Sequence, residues 1–291
     1  MLNASVLRVV IALQSVALAF GLGGCSLLVD SDRLQCKSDR DCTQRGPAFA
    51  DAVCIDSWCT LEPRWSCLGT AQDSAVTSGA FPVTLHLQDI QTQQPLAGVQ
   101  ARLCRKSDVH CTEPAAEAVL SDALGVVRFA IDFEEPTQKF AGFVQLLRDD
   151  LVPALYVFNP PIEHAVDLAA VQLLSESGAE ILARQIGASV EPQRGSLLLS
   201  AFDCNGEPAA GVMVSTDDAD EQAAPFYSAA GLPVTDASAT DTSGYAGLVN
   251  VSPGTIAVTG RLALNQRSLG TVSLPIQAGS ITYSRMVPSD Y

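Results

Sequence analysis

Pro208-Ala209-Ala210-Gly211-Val212, followed by Asp241-Thr242-Ser243-Gly244-Tyr245, decides how this chain is organised, because the same pair of signals occurs once before. The earlier copy is Pro95-Leu96-Ala97-Gly98-Val99 with Asp122-Ala123-Leu124-Gly125-Val126. The offsets are 113 and 119 residues, which marks an internal duplication with a longer loop in the second copy. Each glycine ends a tight turn where φ has to be positive, a conformation that costs glycine little.

Around these turns the chain alternates as strands do. Val83, Leu85 and Leu87 alternate with polar residues, as do Val99, Ala101 and Leu103. Val127, Phe129, Ile131 and Phe133 follow the first Asp-x-x-Gly, and Phe140–Leu147 and Leu151–Phe158 are two more strand-like runs, stopped by Pro160-Pro161. In the second copy Leu197, Leu199 and Ala201 alternate, then Thr255–Leu264, then Val272, Leu274 and Ile276, with Ile281–Val287 closing a sheet. Between the copies, Ser177-Gly178-Ala179-Glu180 has the form of a capping box, and Ile181, Leu182, Gln185, Ile186 and Gly187 complete one short helix. It lacks the basic face of a membrane-active helix and is taken as a connector.

The order strand, Pro-x-x-Gly-Val, strand, Asp-x-x-Gly, strand, Pro-Gly, strand resembles the carboxypeptidase regulatory-like domain, a transthyretin-like β-sandwich. In the second copy Gly206, Pro208, Gly211, Val212, Asp241, Gly244, Pro253 and Gly254 carry it; the first copy has Pro95, Gly98, Val99, Asp122 and Gly125 without the later Pro-Gly. The resemblance implies accessory, stabilising or binding modules, and its motif reports turns rather than chemistry.

Upstream, Val9–Phe20 is an apolar run of signal-peptide length, too short to span a bilayer, and it leads into Leu22-Gly23-Gly24-Cys25. Those four residues resemble the lipobox of bacterial lipoproteins, which implies cleavage before Cys25 and acylation of that cysteine. Several acyl chains hold a protein to a membrane where one binds only marginally. Ser26 stands where an aspartate would signal inner-membrane retention, so the resemblance implies the outer membrane. Residues 1–24 contain Arg8 and no acid, leaving 16 basic and 32 acidic side chains, a net charge of −16. Such a charge argues against nucleic acid and against anionic lipid surfaces as partners.

Eight cysteines follow Cys25, an even number that suggests four disulfides in a secreted chain. Cys36, Cys42, Cys54 and Cys59 lie in a segment too short to bury a core, so cross-links replace one. Cys36–Cys54 and Cys42–Cys59 are the expected pairs, although four cysteines allow three connectivities and the sequence does not choose. The spacings lack the paired C-x2-C knuckles of zinc sites. Cys104 and Cys111 bracket a polar loop, and Cys67 and Cys204 remain, either to bridge the front of the first sandwich to the second or as free thiols.

The expected organisation is therefore all-β. It comprises a signal peptide (1–24), a tether (25–35), a cysteine-rich module (36–67), a first Ig-like or transthyretin-like sandwich (68–164), a helical connector (165–194) and a second sandwich (195–291). Few residues offer chemistry. His86, His110 and His164 are scattered, and no Gly-x-Ser-x-Gly turn or metal-ligand spacing occurs, so no catalytic, metal or cofactor site is expected. Asp217-Asp218-Ala219-Asp220-Glu221 is rich in oxygen ligands but lacks the EF-hand spacing, and is taken as an acidic surface loop. Trp58 and Trp65 either stack on sugar rings or pack against disulfides. Phe226 and Tyr227, in the long segment between Val214 and Asp241, are the candidate binding residues. The expected function is a membrane-anchored, non-catalytic module binding or scaffolding an unknown protein or glycan. The alternative is a hydrolase, or a subunit of one, whose site the sequence does not display.

Overall fold

The computed structural model describes residues 36–45, 52–55, 57–61, 63–68, 79–133, 139–216 and 220–288. Cys25, the signal segment and the tether lie outside them. The described residues fall into two compact units that divide after residue 62.

The first unit is a cross-linked knuckle. A single helical turn, α1 (Asp39–Thr43), is followed by a hairpin of β1 (Ala52–Ile55) and β2 (Trp58–Leu61). Asp41 Oδ2 accepts from the backbone N–H groups of Lys37 and Ser38, and Asp39 Oδ1 accepts from Cys54 N–H at 2.7 Å. Disulfides Cys36–Cys54 and Cys42–Cys59 close the knuckle around a small core of Cys36, Cys42 and Ala52. Trp58 is exposed near the hairpin's turn.

The second unit starts with a 3-10 turn at Pro63–Trp65 and carries fifteen strands among its described residues. The first half contains β3 (Gly79–Asp89), β4 (Gln100–Arg105), β5 (Val119–Leu120), β6 (Val126–Phe133), β7 (Gly142–Leu147), β8 (Ala154–Val157) and β9 (Val166–Leu173). Helix α2 (Glu176–Gln185) follows. The second half contains β10 (Gly195–Ala201), β11 (Val212–Ser215), β12 (Ala224–Ala229), β13 (Leu232–Val234), β14 (Tyr245–Val251), β15 (Gly254–Leu262), β16 (Ser268–Ile276) and β17 (Ile281–Met286).

The same connectivity occurs twice. In the first half β6-β3-β9 form one sheet, with β9 parallel to β3, and β4-β7-β8 run together opposite it. In the second half β14-β10-β17 take the first role, with β17 parallel to β10, and β11-β15-β16 the second. The halves do not keep separate pairs of sheets, however. Strand β17 also pairs in parallel with β8, which joins a sheet of each half into one of nine strands, β13-β12-β14-β10-β17-β8-β7-β4-β5.

Register shows why both faces of that sheet are apolar. Leu197, Thr282 and Leu155 are neighbours in one row, and Leu198, Tyr283 and Tyr156 in the next, pointing the opposite way. Leu197 and Leu155 belong to a core shared with Val258, Leu269 and Leu274 of the β11-β15-β16 sheet. Tyr283, Leu198 and Tyr156 pack in a second core with Val83, Leu85 and Leu87 of β3. The two three-stranded sheets thus cover opposite faces of the long one.

One hydrogen-bonded unit underlies the repeated turns. Ser121 Oγ accepts from Val99 N–H (2.9 Å) and donates to Leu96 O (2.6 Å). Thr240 Oγ1 accepts from Val212 N–H (3.0 Å) and donates to Ala209 O (2.6 Å). Gly98 N–H bonds Ser121 O, and Gly211 N–H bonds Thr240 O. Gly125 and Gly244, both at φ +74°, lie so close to Leu87 O and Ala201 O that a Cβ has no room. Each Pro-x-x-Gly-Val is therefore fastened to the Asp-x-x-Gly that follows it by a buried hydroxyl just before the aspartate.

Three features differ from expectation. Residues 166–173, assigned to the connector, form β9. The helix begins two residues early: Ser175 is extended and its Oγ accepts from Gly178 N–H, so Ser177 and Glu180 lie inside the helix. The segment between Val214 and Asp241 contains the β12–β13 hairpin, which carries Phe226 and Tyr227 on a strand.

Candidate functional site

Helix α2 is closed at its far end by Gly187 at φ +73°: Gly187 N–H bonds Arg184 O, and Ala188 N–H bonds Ala183 O. This six-to-one and five-to-two pattern is a Schellman stop. The chain then runs back along β14, where Asn250 fixes it. Asn250 Nδ2 donates to Ser189 O (2.7 Å), and Asn250 Oδ1 accepts from Glu191 N–H (3.0 Å). Both ends of the helix are thus held, and Ala179, Leu182, Ala183 and Ile186 recur on the side facing the sheet. Ile181 points outward and is exposed.

Helix and sheet do not close on each other. Between them lies a cleft of about 400 Å³. Its floor is Leu198 of β10, Phe226 of β12, Tyr245 and Val249 of β14, and Ile281 of β17; Ile90, Val152 and Leu174 form the wall on the first-half side. Gly247 is required here for packing. A Cβ at 247 would lie 2.6 Å from the Phe226 ring and 2.3 Å from Leu197 O, so only glycine lets that ring rest on the sheet.

The cleft's polar groups are mostly committed elsewhere. The Arg194 guanidinium donates to Asp220, to Gln222 Oε1 (2.8 Å) and to Asn250 O. That guanidinium, with Ser252 Oγ, holds the Asp220 carboxyl well below the usual carboxylate range. Ser280 Oγ donates to Gln277 O at 2.9 Å. Tyr245 Oη donates to Gln172 Oε1 at 3.4 Å, and burial raises its pKa. Such a space can take up an apolar body and hold it; concave, largely apolar and preformed sites of this size are the usual form of a small-ligand pocket.

The structure separates the two candidate binding residues. Phe226 lines the cleft. Tyr227 faces the other way and is buried, its Oη accepting from Val214 N–H (3.0 Å) and donating to Val214 O (3.2 Å), which ties β12 of the long sheet to β11 of the β11-β15-β16 sheet. Leu198, Val249 and Ile186 are missing from the sequence-based set because the cleft is assembled from both halves. One signal was available: Leu197-Leu198-Leu199 breaks the alternation of β10 and marks a strand covered on both faces.

Of the acidic run, residues 217–219 lie outside the described set, and Asp220 is spent on Arg194 and Ser252. Trp65 is buried in the core under the β11-β15-β16 sheet. Cys67 and Cys204 are bonded, next to Cys204 N–H to Arg64 O (2.9 Å) and an Arg64–Asp203 ion pair (3.3 Å). Cys104 and Cys111 are bonded, and both are buried in that same core.

No protein-family model matches the chain, and no curated protein sequence does. Among solved structures, BcpA, the major pilin subunit of Bacillus cereus, is similar at 11% identity over 69% of this chain and 69% of its own, with a TM-score of 0.25. The shaft pilin SpaA from Lactobacillus rhamnosus GG is similar at 11% identity over 74% of this chain and 99% of its own, with a TM-score of 0.22. An intradiol ring-cleavage dioxygenase from Tetranychus urticae aligns at 11% identity and a TM-score of 0.21 with 32% of this chain, which spans 61% of that protein's length. Likenesses this distant assign no role to any residue; the strand pairing itself shows the chain after residue 62 to be a β-sandwich protein.

Proposed function

We propose that this protein is a lipid-anchored envelope component, tethered through Cys25 at the outer membrane, and that it works as a non-catalytic binding module. Two sandwiches related by duplication are fused through β17 into a rigid frame. The frame's one-sided covering by α2 leaves the cleft that receives a ligand's apolar part. The preformed apolar cleft over Leu198 and Phe226 carries this reading.

Two measurements test it. The neutral fluorescent probe N-phenyl-1-naphthylamine should brighten on binding the mature chain, and Leu198→Trp, which fills the floor, should abolish the signal while leaving the far-ultraviolet circular dichroism intact. Equal brightening by both proteins defeats the binding reading. Labelled palmitate should enter the wild type and not Cys25→Ser, and only the wild type should sediment with outer membrane. Identical fractionation of the two defeats the anchor.

A further inference from the structure

The cleft has a charge pattern as well as a shape, and the pattern selects among amphiphiles. We infer that its ligand is a single-chain amphiphile with a cationic head, the apolar tail lying over Leu198 and Phe226 and the head beside Glu176 and Glu180. This rests on the cleft being a binding site, as proposed above.

Of the polar groups lining the interior, the hydroxyl of Ser280 and the guanidinium of Arg194 are already bonded within the protein. The rim is uneven. Glu176 and Glu180, four apart on one side of α2, both line the cleft. Arg184 lies 3.9 Å from Glu180, an exposed pair of small worth, and no ion pair among the described residues offsets Glu176. Among the described residues the one cation lining the cleft, Arg194, is neutralised by Asp220, so they leave no positive charge there to meet a carboxylate or phosphate head. An anionic head would also face the chain's overall negative field. A cationic head meets two carboxylates at the point where the tail leaves the protein.

Competition for N-phenyl-1-naphthylamine on the mature full-length chain tests this, using twelve-carbon amphiphiles below their micelle concentration at neutral pH and low ionic strength. Dodecyltrimethylammonium should displace the probe at roughly tenfold lower concentration than dodecanoate, with neutral dodecyl maltoside between them. In Glu176→Gln/Glu180→Gln the two ions should act within about threefold of each other. Displacement by dodecanoate as good as or better than that by the cation overturns the inference and leaves the cleft a binding site. A preference that survives in the double variant also overturns it, because the rim glutamates would then not be its source. Failure of the probe to bind the wild type at all overturns the reading beneath it instead.

Discussion

The two halves of the sandwich unit share a connectivity but not a surface, and the difference lies on one pair of strands. Aligned through Gly98 and Gly211, the sheet registers make Leu155 of β8 the counterpart of Thr271 of β16, and Val157 the counterpart of Ser273. Their cross-strand partners Gln145 and Phe143 correspond to Thr259 and Ala257. In the first half this outward face is apolar and sealed, with Leu155, Val157 and Phe143 inside the core that the second half builds. In the second half the same face carries Thr271 and Thr259, whose hydroxyls bond each other at 2.8 Å, and Ala257 and Thr271 are exposed. A repeat array ends where a unit turns a polar face outward. The apolar face of β8 thus makes the first half incomplete without the second, whereas the polar face of β16 asks for no such apolar cover.

If that dependence is real, cutting the connection between the halves should have the largest effect. Residues 64–68 precede the first half in sequence but are wired to the second, through Cys67–Cys204, Cys204 N–H to Arg64 O and Arg267 to Leu68 O. The disulfide closes a loop with a sequence separation of 137 that contains the entire first half. Cys67→Ala/Cys204→Ala should lose about 5 kcal/mol in denaturant unfolding on the chain-entropy account. Cys104→Ala/Cys111→Ala, whose cysteines are only 7 apart, should lose about 2.5 kcal/mol on the same account. Equal losses would mean that the long bridge does not bind the halves together.

Next in size is the face itself. Leu155 is 1% exposed, and Leu155→Ala should cost about 2–5 kcal/mol by removing apolar volume from a core that cannot fully relax. The counterpart Thr271→Ala should change stability by no more than about 0.5 kcal/mol. A cost at Thr271 approaching that at Leu155 would show that the two faces do not differ in the cover they need.

Where the halves agree, substitutions should agree as well. Ser121→Ala and Thr240→Val each remove a buried hydroxyl that serves one N–H and one carbonyl, so each should cost about 1–3 kcal/mol for the groups left unpaired. A large cost at one position with none at the other would break the equivalence of the two turns.

The pairs of turns were legible in the sequence because glycine and proline act locally, and their spacing survives whatever surrounds them. The hydroxyls at 121 and 240 were not, since a serine or threonine before an aspartate carries no signal until its partners 22 to 31 residues away are known. The run at 281–287 reads as a strand, but its place between β10 and β8 escaped for a related reason. Ile281-Thr282-Tyr283-Ser284-Arg285-Met286 alternates as if one face were wet, yet Thr282 and Ser284 are buried. They bond Pro275 O (2.6 Å) and Val157 O (3.2 Å), so burial leaves neither hydroxyl unpaired. Its joining of two halves is a long-range pairing that local patterning does not encode. The cleft inherits that difficulty, because Ile90 and Val152 come from one half and Leu198 and Phe226 from the other.

The seam where the halves meet offers the finest test, one with no effect at neutral pH. Tyr156 of β8 and Tyr283 of β17 are register partners across it. Burial pushes the Tyr156 phenol up to about 12, and burial likewise raises Tyr283 and Tyr245. A phenol is neutral below its pKa, so a raised value means that folding favours the protonated form while the unfolded chain ionises near pH ~10. The stability these groups confer is therefore fully present below about pH 10 and is lost as pH climbs through the folded values. In a spectrophotometric titration of tyrosinate, Tyr156, Tyr245 and Tyr283 should appear only as the fold gives way, and Tyr156→Phe should remove one of these late groups without altering stability at neutral pH. Ionisation of these three near pH ~10 in a chain that stays folded would mean that water reaches the β8–β17 seam, and the nine strands would then not form one continuous sheet between two cores.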